Sequence, residues 1–251
     1  MVERNIRAVI LAGSHNDGPL REESSEMYES LIDLWGRPML AYILDAVAES
    51  QVLRDPIVVG FPSFEDALDL DGVTLVPAGE SFVESITQGV NAAGDADYLF
   101  FITGDVPLVT GPVLDRFVLS CVDAGGDFFA PAITREASEE RFPGVQRTYA
   151  RLREGELTLG NCFLGTRDCI ESLLPVLQRL YAIRKSVLRM AWAVGPVFLL
   201  KLALGRAGIA DAERAFTRVT GAVGRAILDA DPEIALDVDK PSHLKALRAM
   251  R

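Results

Sequence analysis

Cysteine is scarce in this sequence, and the few cysteines present are not arranged for chemistry. The chain has three, Cys121, Cys162 and Cys169, and none of them forms a CxxC pair. Three is too few, and an odd number, for a disulfide framework. We therefore expect a protein of the reducing cytoplasm.

Histidine is scarcer still, with only His15 and His243. Both lie in polar segments, and we interpret both as solvated. His15 follows the first predicted strand, so contact with a phosphate group stays open for it. No Ser–His–Asp or Cys–His arrangement stands out, and the sequence gives no support to a nucleophilic hydrolase.

Basic residues are fewer than acidic ones in this sequence. The chain has 25 Lys and Arg against 36 Asp and Glu, a formal charge of −11. Nucleic acids and anionic membranes favour basic surfaces, so we expect neither as the main partner. A phosphate-bearing ligand would have to be held locally, by backbone amides, a few cations or a metal ion.

Long hydrophobic runs are missing as well. The sequence is polar through Arg7, and its first apolar run has only the length of a strand, so we expect no signal peptide. The most apolar stretch, Ala191–Leu204, contains Gly195, Pro196 and Lys201, and is shorter than the ~20 residues of a membrane-spanning helix. We therefore expect no stable membrane insertion but a buried or homodimer-forming helix. A groove for a greasy substrate, or contact with a membrane surface, is the alternative.

Short apolar runs alternate with helical patterns in the first half of the chain. This alternation predicts an α/β, Rossmann-like fold with a mainly parallel twisted sheet and helices on both faces. Thr110 is a candidate N-cap for the third helix. The predicted strands are Arg7–Leu11, Pro56–Gly60, Val73–Val76 and Tyr98–Thr103, and the predicted helices are Pro38–Ala48, Phe82–Ala93 and Pro112–Ala124.

The second half is less regular. A strand over Asp127–Ile133 and a hairpin over Tyr149–Leu159 precede a helical pattern from Thr166 to Gly221. A short strand near Ala226–Leu228 and a final helix over Ser242–Met250 follow. No repeat or linker is evident, so we expect a single domain, 1–251, with a helical insertion at about 166–221.

Ligands of open parallel sheets bind beyond the carboxyl ends of the strands. The first such end reads Leu11-Ala12-Gly13-Ser14. Its glycine permits close backbone approach to a phosphate, and the amides that follow can form an anion-binding nest. Neither GxGxxG nor a P-loop is present. A plain strand-to-loop turn is the alternative interpretation.

Two aspartates each follow an apolar stretch and closely precede a proline. Asp105 lies in Thr103-Gly104-Asp105-Val106-Pro107, and Asp239 lies in the segment LDVDKPS that enters the last helix. Two carboxylates from distant segments suit a Mg²⁺–triphosphate site. The alternative for each is local, a turn or helix N-terminal aspartate.

The order of LAG, GRPML, GDVPL and a late DVDKP resembles that of the GT-A-like nucleotidyltransferases, which include the molybdenum-cofactor guanylyl- and cytidylyltransferases. The resemblance covers roughly Arg7–Ala124 and Ile234–Met250. It implies that the loop after Leu11, Ala12, Gly13 and Ser14 wraps a triphosphate, and that Asp105 and Asp239 hold Mg²⁺. Beside this loop, the remaining nucleotide-binding positions would be Gly79, Ser85, Thr103 and Gly104.

The sequence departs from this family in its first loop. Ser14 replaces the second glycine, only Arg21 matches the family's arginine, and Glu29 stands where a lysine is expected. Loss of a comparable electrostatic stabiliser costs ~3 kcal/mol of transition-state stabilisation. A degenerate nucleotide-binding or regulatory protein is therefore a competing interpretation.

An acceptor site is predicted from Arg141, Arg147 and Asn161, because arginine suits phosphate and carboxylate groups. Surface ion pairs and a turn asparagine are the alternatives. We expect attack by an anionic small molecule on the α-phosphorus of a nucleoside triphosphate, with Arg21 and Asp105 as catalytic residues. A nucleotide-sugar-dependent glycosyltransferase would share the fold, but Asp105 is not part of a DxD at its strand end.

Overall fold

The computed structural model describes residues 4–183 and 195–250. The strands are β1 (Ile6–Leu11), β2 (Asp33–Leu34), β3 (Arg37–Pro38), β4 (Arg54–Gly60), β5 (Thr74–Pro77), β6 (Tyr98–Thr103), β7 (Phe128–Thr134), β8 (Ala150–Leu152), β9 (Gly155–Leu159), β10 (Cys162–Thr166) and β11 (Gly224–Leu228). The helices are α1 (Met39–Glu49), α2 (Phe82–Ala92), α3 (Gly111–Ala124), α4 (Arg135–Arg141), α5 (Arg167–Ile183), α6 (Pro196–Ala203), α7 (Ile209–Thr220) and α8 (Pro241–Arg248).

Nine strands form one mixed sheet in the order β5-β4-β1-β6-β10-β7-β9-β8, with β11 paired to β7. The first four strands of that order are parallel to one another. β10 is antiparallel to both of its neighbours, β6 and β7, so β7 and β11 again point the same way as β6. The expected Rossmann-like α/β sheet is confirmed, and the carboxyl ends of β1, β4 and β6 meet at one edge.

Helices cover both faces of the sheet, so its central strands are buried on both sides. Ile10, Val58 and Phe100 belong to a core that includes residues of α1 and α3. Their chain neighbours Val9 and Phe101 point the other way, into a core with residues of α2 and α5. Alternate residues of a strand face opposite sides, so near-continuous apolar runs such as RAVIL suit this position.

The predicted N-cap of the third helix is confirmed in position. Thr110 is the N-cap residue of α3, but its side chain makes no capping hydrogen bond. The Glu49 side chain instead accepts a hydrogen bond from the Gly111 amide, at 3.0 Å between Oε2 and N. A residue distant in the chain thus replaces the local cap. Helix α4, whose Thr134 cap binds the Ala137 amide, was not predicted at all.

The helical insertion is confirmed where the structure describes it, as α5, α6 and α7. Residues 184–194, which include part of the apolar stretch Ala191–Leu204, lie outside the described residues. None of the described helices is long and apolar enough to cross a membrane. Val197 and Leu200 of α6, and Leu204 directly after it, are about 60% exposed, so packing against a second copy of the chain stays a prediction.

Candidate active site

A cavity of about 580 Å³ opens where β1, β4 and β6 end. Its walls come from five parts of the chain: the loop after β1, the end of β4, the β5–α2 turn, the end of β6 and the end of α5. The cavity contains every residue predicted to bind nucleotide, together with Asp105. These residues are Leu11, Ala12, Gly13, Ser14, Gly79, Ser85, Thr103 and Gly104.

Three glycines in these walls leave no room for a side chain. A Cβ on Gly13 would lie 2.5 Å from the Ala78 Cβ, and one on Gly79 would lie 2.2 Å from the Glu84 Cβ. A Cβ on Gly104 would lie 3.1 Å from the Ala12 Cα. The main chain therefore lies close to neighbouring atoms around the cavity, and a side chain at any of these three positions would force it to move.

The amino end of α2 forms the rim opposite β1. The Ser81 hydroxyl caps the helix by accepting a hydrogen bond from the Glu84 amide (3.2 Å). The Ser85 hydroxyl accepts one from the Gly79 amide (3.1 Å), so Ser85 holds the turn in which that glycine lies. A helix amino end favours negative charge, which suits a phosphate ligand.

Asp105 lies at the base of the cavity, partly buried, at the end of β6. The Thr103 hydroxyl donates a hydrogen bond to its carboxylate, at 2.5 Å between Oγ1 and Oδ1. Burial raises the pKa of Asp105 to about 7, the Thr103 bond opposes that rise, and the charges of Asp237 and Glu29 add to it. Asp105 is therefore a carboxylate surrounded by like charge and poorly solvated.

The segment that enters α8 packs directly on Asp105. The Val238 amide donates a hydrogen bond to the Asp105 carbonyl at 2.9 Å. Asp237 and Asp239 therefore flank the point of contact, and the structure brings the two predicted metal ligands into one neighbourhood. Asp237 pairs with Arg147 (3.2 Å between Oδ1 and Nη2), and Asp239, about half exposed, contacts the His243 ring (3.0 Å between Oδ1 and Nδ1).

The interpretation of His243 as solvated is wrong. Its ring is 4% exposed and contacts the carbonyl oxygens of Asp237 (3.0 Å) and Gln146 (3.3 Å). The histidine lies on the first turn of α8, and it packs beneath the segment that carries Asp237 and Asp239. The sequence did not indicate this burial, because the residues around His243 are polar.

The charge of the cavity walls is negative. Asp17, Glu29, Glu80 and Asp105 line the cavity, and none of its lining residues in the described part of the chain is a lysine or an arginine. Burial raises the pKa of Glu29, with the charges of Asp17, Asp239 and Asp237 adding to the rise, while a hydrogen bond with Ser14 opposes it. The acidic residue predicted at the lysine position therefore faces the same cavity.

Arg21 does not line this cavity. Its guanidinium is exposed and lies within its own loop, with Nη1 3.3 Å from the Glu26 carbonyl oxygen. A catalytic role for Arg21 stays a prediction, and it requires the side chain to turn away from this contact.

The predicted acceptor residues lie on the Asp237 side. Arg147 is 11% exposed, and its Nε and Nη1 atoms are buried without a hydrogen-bond partner. Asn161 is tied to the backbone instead, since its amide nitrogen Nδ2 donates to the Ala235 carbonyl (3.3 Å) and its carbonyl accepts from the Thr103 amide (3.1 Å). Arg141 pairs with Glu233 at the surface (2.6 Å).

Aromatic residues at the cavity rim were missed in the sequence. Phe61 directly follows β4 and stacks on Tyr28 with ring centroids 4.3 Å apart. The His15 ring packs against both of these rings. The strand-end rule that identified Gly13 and Asp105 also applies to β4, and it would have pointed to Phe61.

A larger depression of about 700 Å³ lies between α1 and the Phe142–Pro143 segment. Of the predicted site residues it contains only Arg141, and its walls are mostly apolar. The cavity at the strand ends is therefore the better candidate site.

Comparison with known proteins gives this arrangement a family. Residues 8–194 match the MobA-like NTP transferase domain. A hypothetical transferase from Thermus thermophilus is 33% identical, with a TM-score of 0.83 over 96% of this chain and 99% of that one. No curated protein matches the chain significantly.

More distant structures share the fold. A CMP:2-keto-3-deoxy-manno-octonic acid synthetase, solved with CTP, is 15% identical with a TM-score of 0.61 over 98% of both chains. The 4-diphosphocytidyl-2C-methyl-D-erythritol synthase of Anaerococcus prevotii is 12% identical with a TM-score of 0.62 over 99% of this chain and 96% of that one.

Proposed function

The chain belongs to the MobA-like NTP transferase family, and from that premise we propose that it transfers a nucleoside monophosphate from a nucleoside triphosphate to an anionic small molecule. The observation that carries the proposal is the convergence of Gly13, Gly79, Ser85 and Asp105 on one cavity at the carboxyl edge of the sheet. Ligands of such sheets bind at this edge.

Backbone rather than basic side chains would hold the triphosphate. The loop after β1 and the amino end of α2 line the cavity, so their amides would be the donors to phosphate. The Gly79 amide is excepted, because it is bonded to the Ser85 hydroxyl. Such fixed donors would place the α-phosphorus for in-line attack, and positioning is the main contribution of a protein to phosphoryl-type transfer.

The residues present fit a divalent cation. Within the described residues, no cluster of three or more potential side-chain ligands is close enough to hold a metal by itself. Mg²⁺ is commonly bound by one or two carboxylates together with substrate phosphates. Asp105 and Asp239 would hold it. Burial is the main cause of the raised pKa of Asp105, and the charges of Asp237 and Glu29, which a cation would offset, add to it. The cation, when bound, neutralises charge on the triphosphate.

Arg147 would orient the acceptor. Its two unpartnered nitrogens are buried beside Asp237, and a guanidinium is suited to a phosphate or carboxylate. An acceptor oxygen would form the new bond to the α-phosphorus, the bond between that phosphorus and the bridging oxygen would break, and pyrophosphate would leave. A phosphate or carboxylate acceptor is already deprotonated, so this step needs no general base.

One observation favours a second function, nucleotide binding without transfer. Four acidic side chains line the cavity without a lysine or arginine among its described lining residues. Like charge opposes triphosphate binding unless a metal ion or an incoming arginine compensates for it.

A screen of the four common nucleoside triphosphates tests the proposal, with thermal stabilisation and pyrophosphate release measured with and without Mg²⁺. Saturation at ~100 times the dissociation constant adds about 2.7 kcal/mol to the free energy of unfolding. Asp105→Asn should abolish the Mg²⁺-dependent part, and Asp237→Asn should reduce it less. Stabilisation without pyrophosphate release over a panel of anionic acceptors would favour the binding protein. No stabilisation by any nucleotide would overturn both functions.

A further inference from the structure

A second cavity, of about 340 Å³, is almost wholly apolar. It lies beside the cavity at the strand ends, which we call the nucleotide cavity after its proposed ligand. Its walls come from α2, α5, α6 and α7 and from the face of the sheet at β10 and β7. Among the described residues, the only lining side chain with a polar group is Thr220, and its hydroxyl is already bonded to the Phe216 carbonyl at 2.8 Å. A polar ligand would find no partner here.

The two cavities are adjacent. Phe82, the first residue of α2, lines both of them, and the consecutive α5 residues Leu180 and Tyr181 line one each. The apolar cavity extends from this shared boundary toward the far ends of β7 and β11. Phe163, Phe128 and Phe216 form a stacked row along it, with centroids 5.4 and 5.0 Å apart.

The apolar cavity lies against β10, the strand that directly follows the predicted acceptor residue Asn161. Phe163 pairs with Phe101 across β10 and β6, two residues from the Asn161 and Thr103 positions at the site edge. A molecule with its charged group near Asp105 therefore has an apolar space within reach on the same side of the sheet as α2.

The amino-acid sequence of the insertion is basic, in contrast to the acidic walls of the adjoining cavity at the strand ends. Between Glu171 and Asp211 the sequence has no acidic residue but six basic ones, in a chain of net charge −11. These residues are Arg179, Arg184, Lys185, Arg189, Lys201 and Arg206. The structure describes Arg179, Lys201 and Arg206 of this set, and Lys201 is paired with Asp211 at 2.8 Å. The insertion is thus the basic part of an acidic protein, and electrostatic attraction brings anions to such a region.

We propose that the acceptor is an amphiphilic anion whose apolar chain occupies the cavity between α2, α5 and α7. The proposal rests on the function proposed above and names the substrate class of that site. The apolar chain would pass the boundary formed by Phe82 and Tyr181, and the anionic head would lie next to the triphosphate, toward Asp105. Ligand cavities of about 300–1,000 Å³ are typical of small molecules, and an apolar wall selects an alkyl or isoprenoid chain.

Titration calorimetry with hexyl and dodecyl phosphate, each below its micellar concentration, tests the assignment. Affinity should rise about fourfold per added methylene, the fold-change that corresponds to about 0.8 kcal/mol. Ala212→Phe, which fills the cavity from α7, should weaken dodecyl phosphate binding at least tenfold. The matched control Ala210→Phe lies on the exposed side of the same helix and should leave it unchanged. Ala215→Leu serves as a second filling variant.

Several results would overturn the assignment. Equal binding of hexyl and dodecyl phosphate would show that the alkyl chain does not occupy this cavity. Equal binding of dodecyl phosphate to wild type and both filling variants would show the same. Loss of binding in Leu200→Ser would place it on the exposed face of α6. Dissociation of a wild-type dimer by Ala212→Phe, seen by light scattering, would make a second copy the occupant.

Nucleotide titrations in the same samples separate the two proposals. If a nucleoside triphosphate stabilises the protein and dodecyl phosphate does not bind, the acceptor assignment fails alone. If dodecyl phosphate binds as expected and no nucleotide does, the transferase proposal fails. With both bound, dodecyl phosphate should stimulate pyrophosphate release more than hexyl phosphate does.

Discussion

The two cavities of this protein, which share Phe82, are built in opposite ways. The nucleotide cavity depends on main chain at three positions, because a Cβ on Gly13, Gly79 or Gly104 would lie 2.5, 2.2 or 3.0 Å from the nearest atom. The apolar cavity has walls of large side chains, contributed by helices and by the sheet face. The shape of the nucleotide cavity therefore depends on where the backbone lies at these glycines. The shape of the apolar cavity depends on the volumes of the side chains that surround it.

This difference predicts unequal tolerance to substitution. Adding one methyl group to a backbone wall forces the main chain to move, whereas exchanging one apolar side chain for another of similar volume in the second wall does not. It also predicts unequal sensitivity to pH, because the acidic groups belong to the first cavity only.

Gly79→Ala should produce the largest effect. The new Cβ would lie 2.8 Å from the Glu84 carbonyl carbon and 2.9 Å from the Ser85 amide nitrogen, both in the first turn of α2. We expect a loss of about 3 kcal/mol in the free energy of unfolding, at the upper end for overpacking, and a nucleotide affinity at least tenfold lower. Gly18→Ala is the matched control, since nothing lies within 4 Å of a Cβ there. Equal denaturant midpoints for the two variants would contradict the crowding.

The pH dependence of stability should trace to Asp105. Its pKa is about 7 in the folded protein against 3.8 ordinarily, so the folded state favours the neutral carboxyl group. The stability gained from that neutral form is present below pH 4 and is lost as the pH rises to 7. In the absence of divalent cations, the free energy of unfolding of wild type should fall by about 1–2 kcal/mol relative to that of Asp105→Asn over this pH range. The effect is this small because Asp105 is only partly buried. Urea titrations from pH 4 to 8 measure it, with the exposed Asp123→Asn as control; parallel curves for wild type and Asp105→Asn would refute it.

Glu29→Gln should have a smaller effect on ligand binding. The change removes one of the negative charges that face the cavity while preserving the shape of the side chain. We expect nucleoside triphosphate affinity to rise about two- to fivefold at low salt, the size of a partly screened charge interaction. Glu22→Gln, in the same loop but outside the cavity, should not change affinity. An increase in both variants would indicate a general effect of net charge.

Leu173→Met, in the apolar cavity, should have the smallest effect. The substitution conserves volume, so the free energy of unfolding should change by less than ~1.5 kcal/mol and nucleotide affinity should not change. Leu173→Ala should cost about 2–5 kcal/mol, because the buried leucine leaves a void. If the methionine variant were as unstable as the alanine variant, side-chain volume would not describe this wall.

Much of the nucleotide cavity was predictable because its position follows from strand ends, and strands β1 and β6 are evident as apolar runs. Periodicity does not show which distant segment closes over a strand end. The burial of His243 was therefore missed, as was the replacement of the Thr110 cap by Glu49. Arg21 was placed at the site by analogy, whereas the structure ties it to the Glu26 carbonyl of its own loop. The apolar cavity is formed by four helices and one face of the sheet, so no single segment of the sequence predicts it.

The hydrogen bond from the Val238 amide to the Asp105 carbonyl has a kinetic consequence. It joins two segments that are far apart along the chain, and the parallel pairing of β7 with β11 spans a similarly long loop. Contacts of high sequence separation form late, because the entropy of closing the intervening loop must be overcome first. The loop after β1 and the end of β6 are also translated before Asp239. The side of the cavity that Asp237 and Asp239 flank is therefore the last to be completed during synthesis.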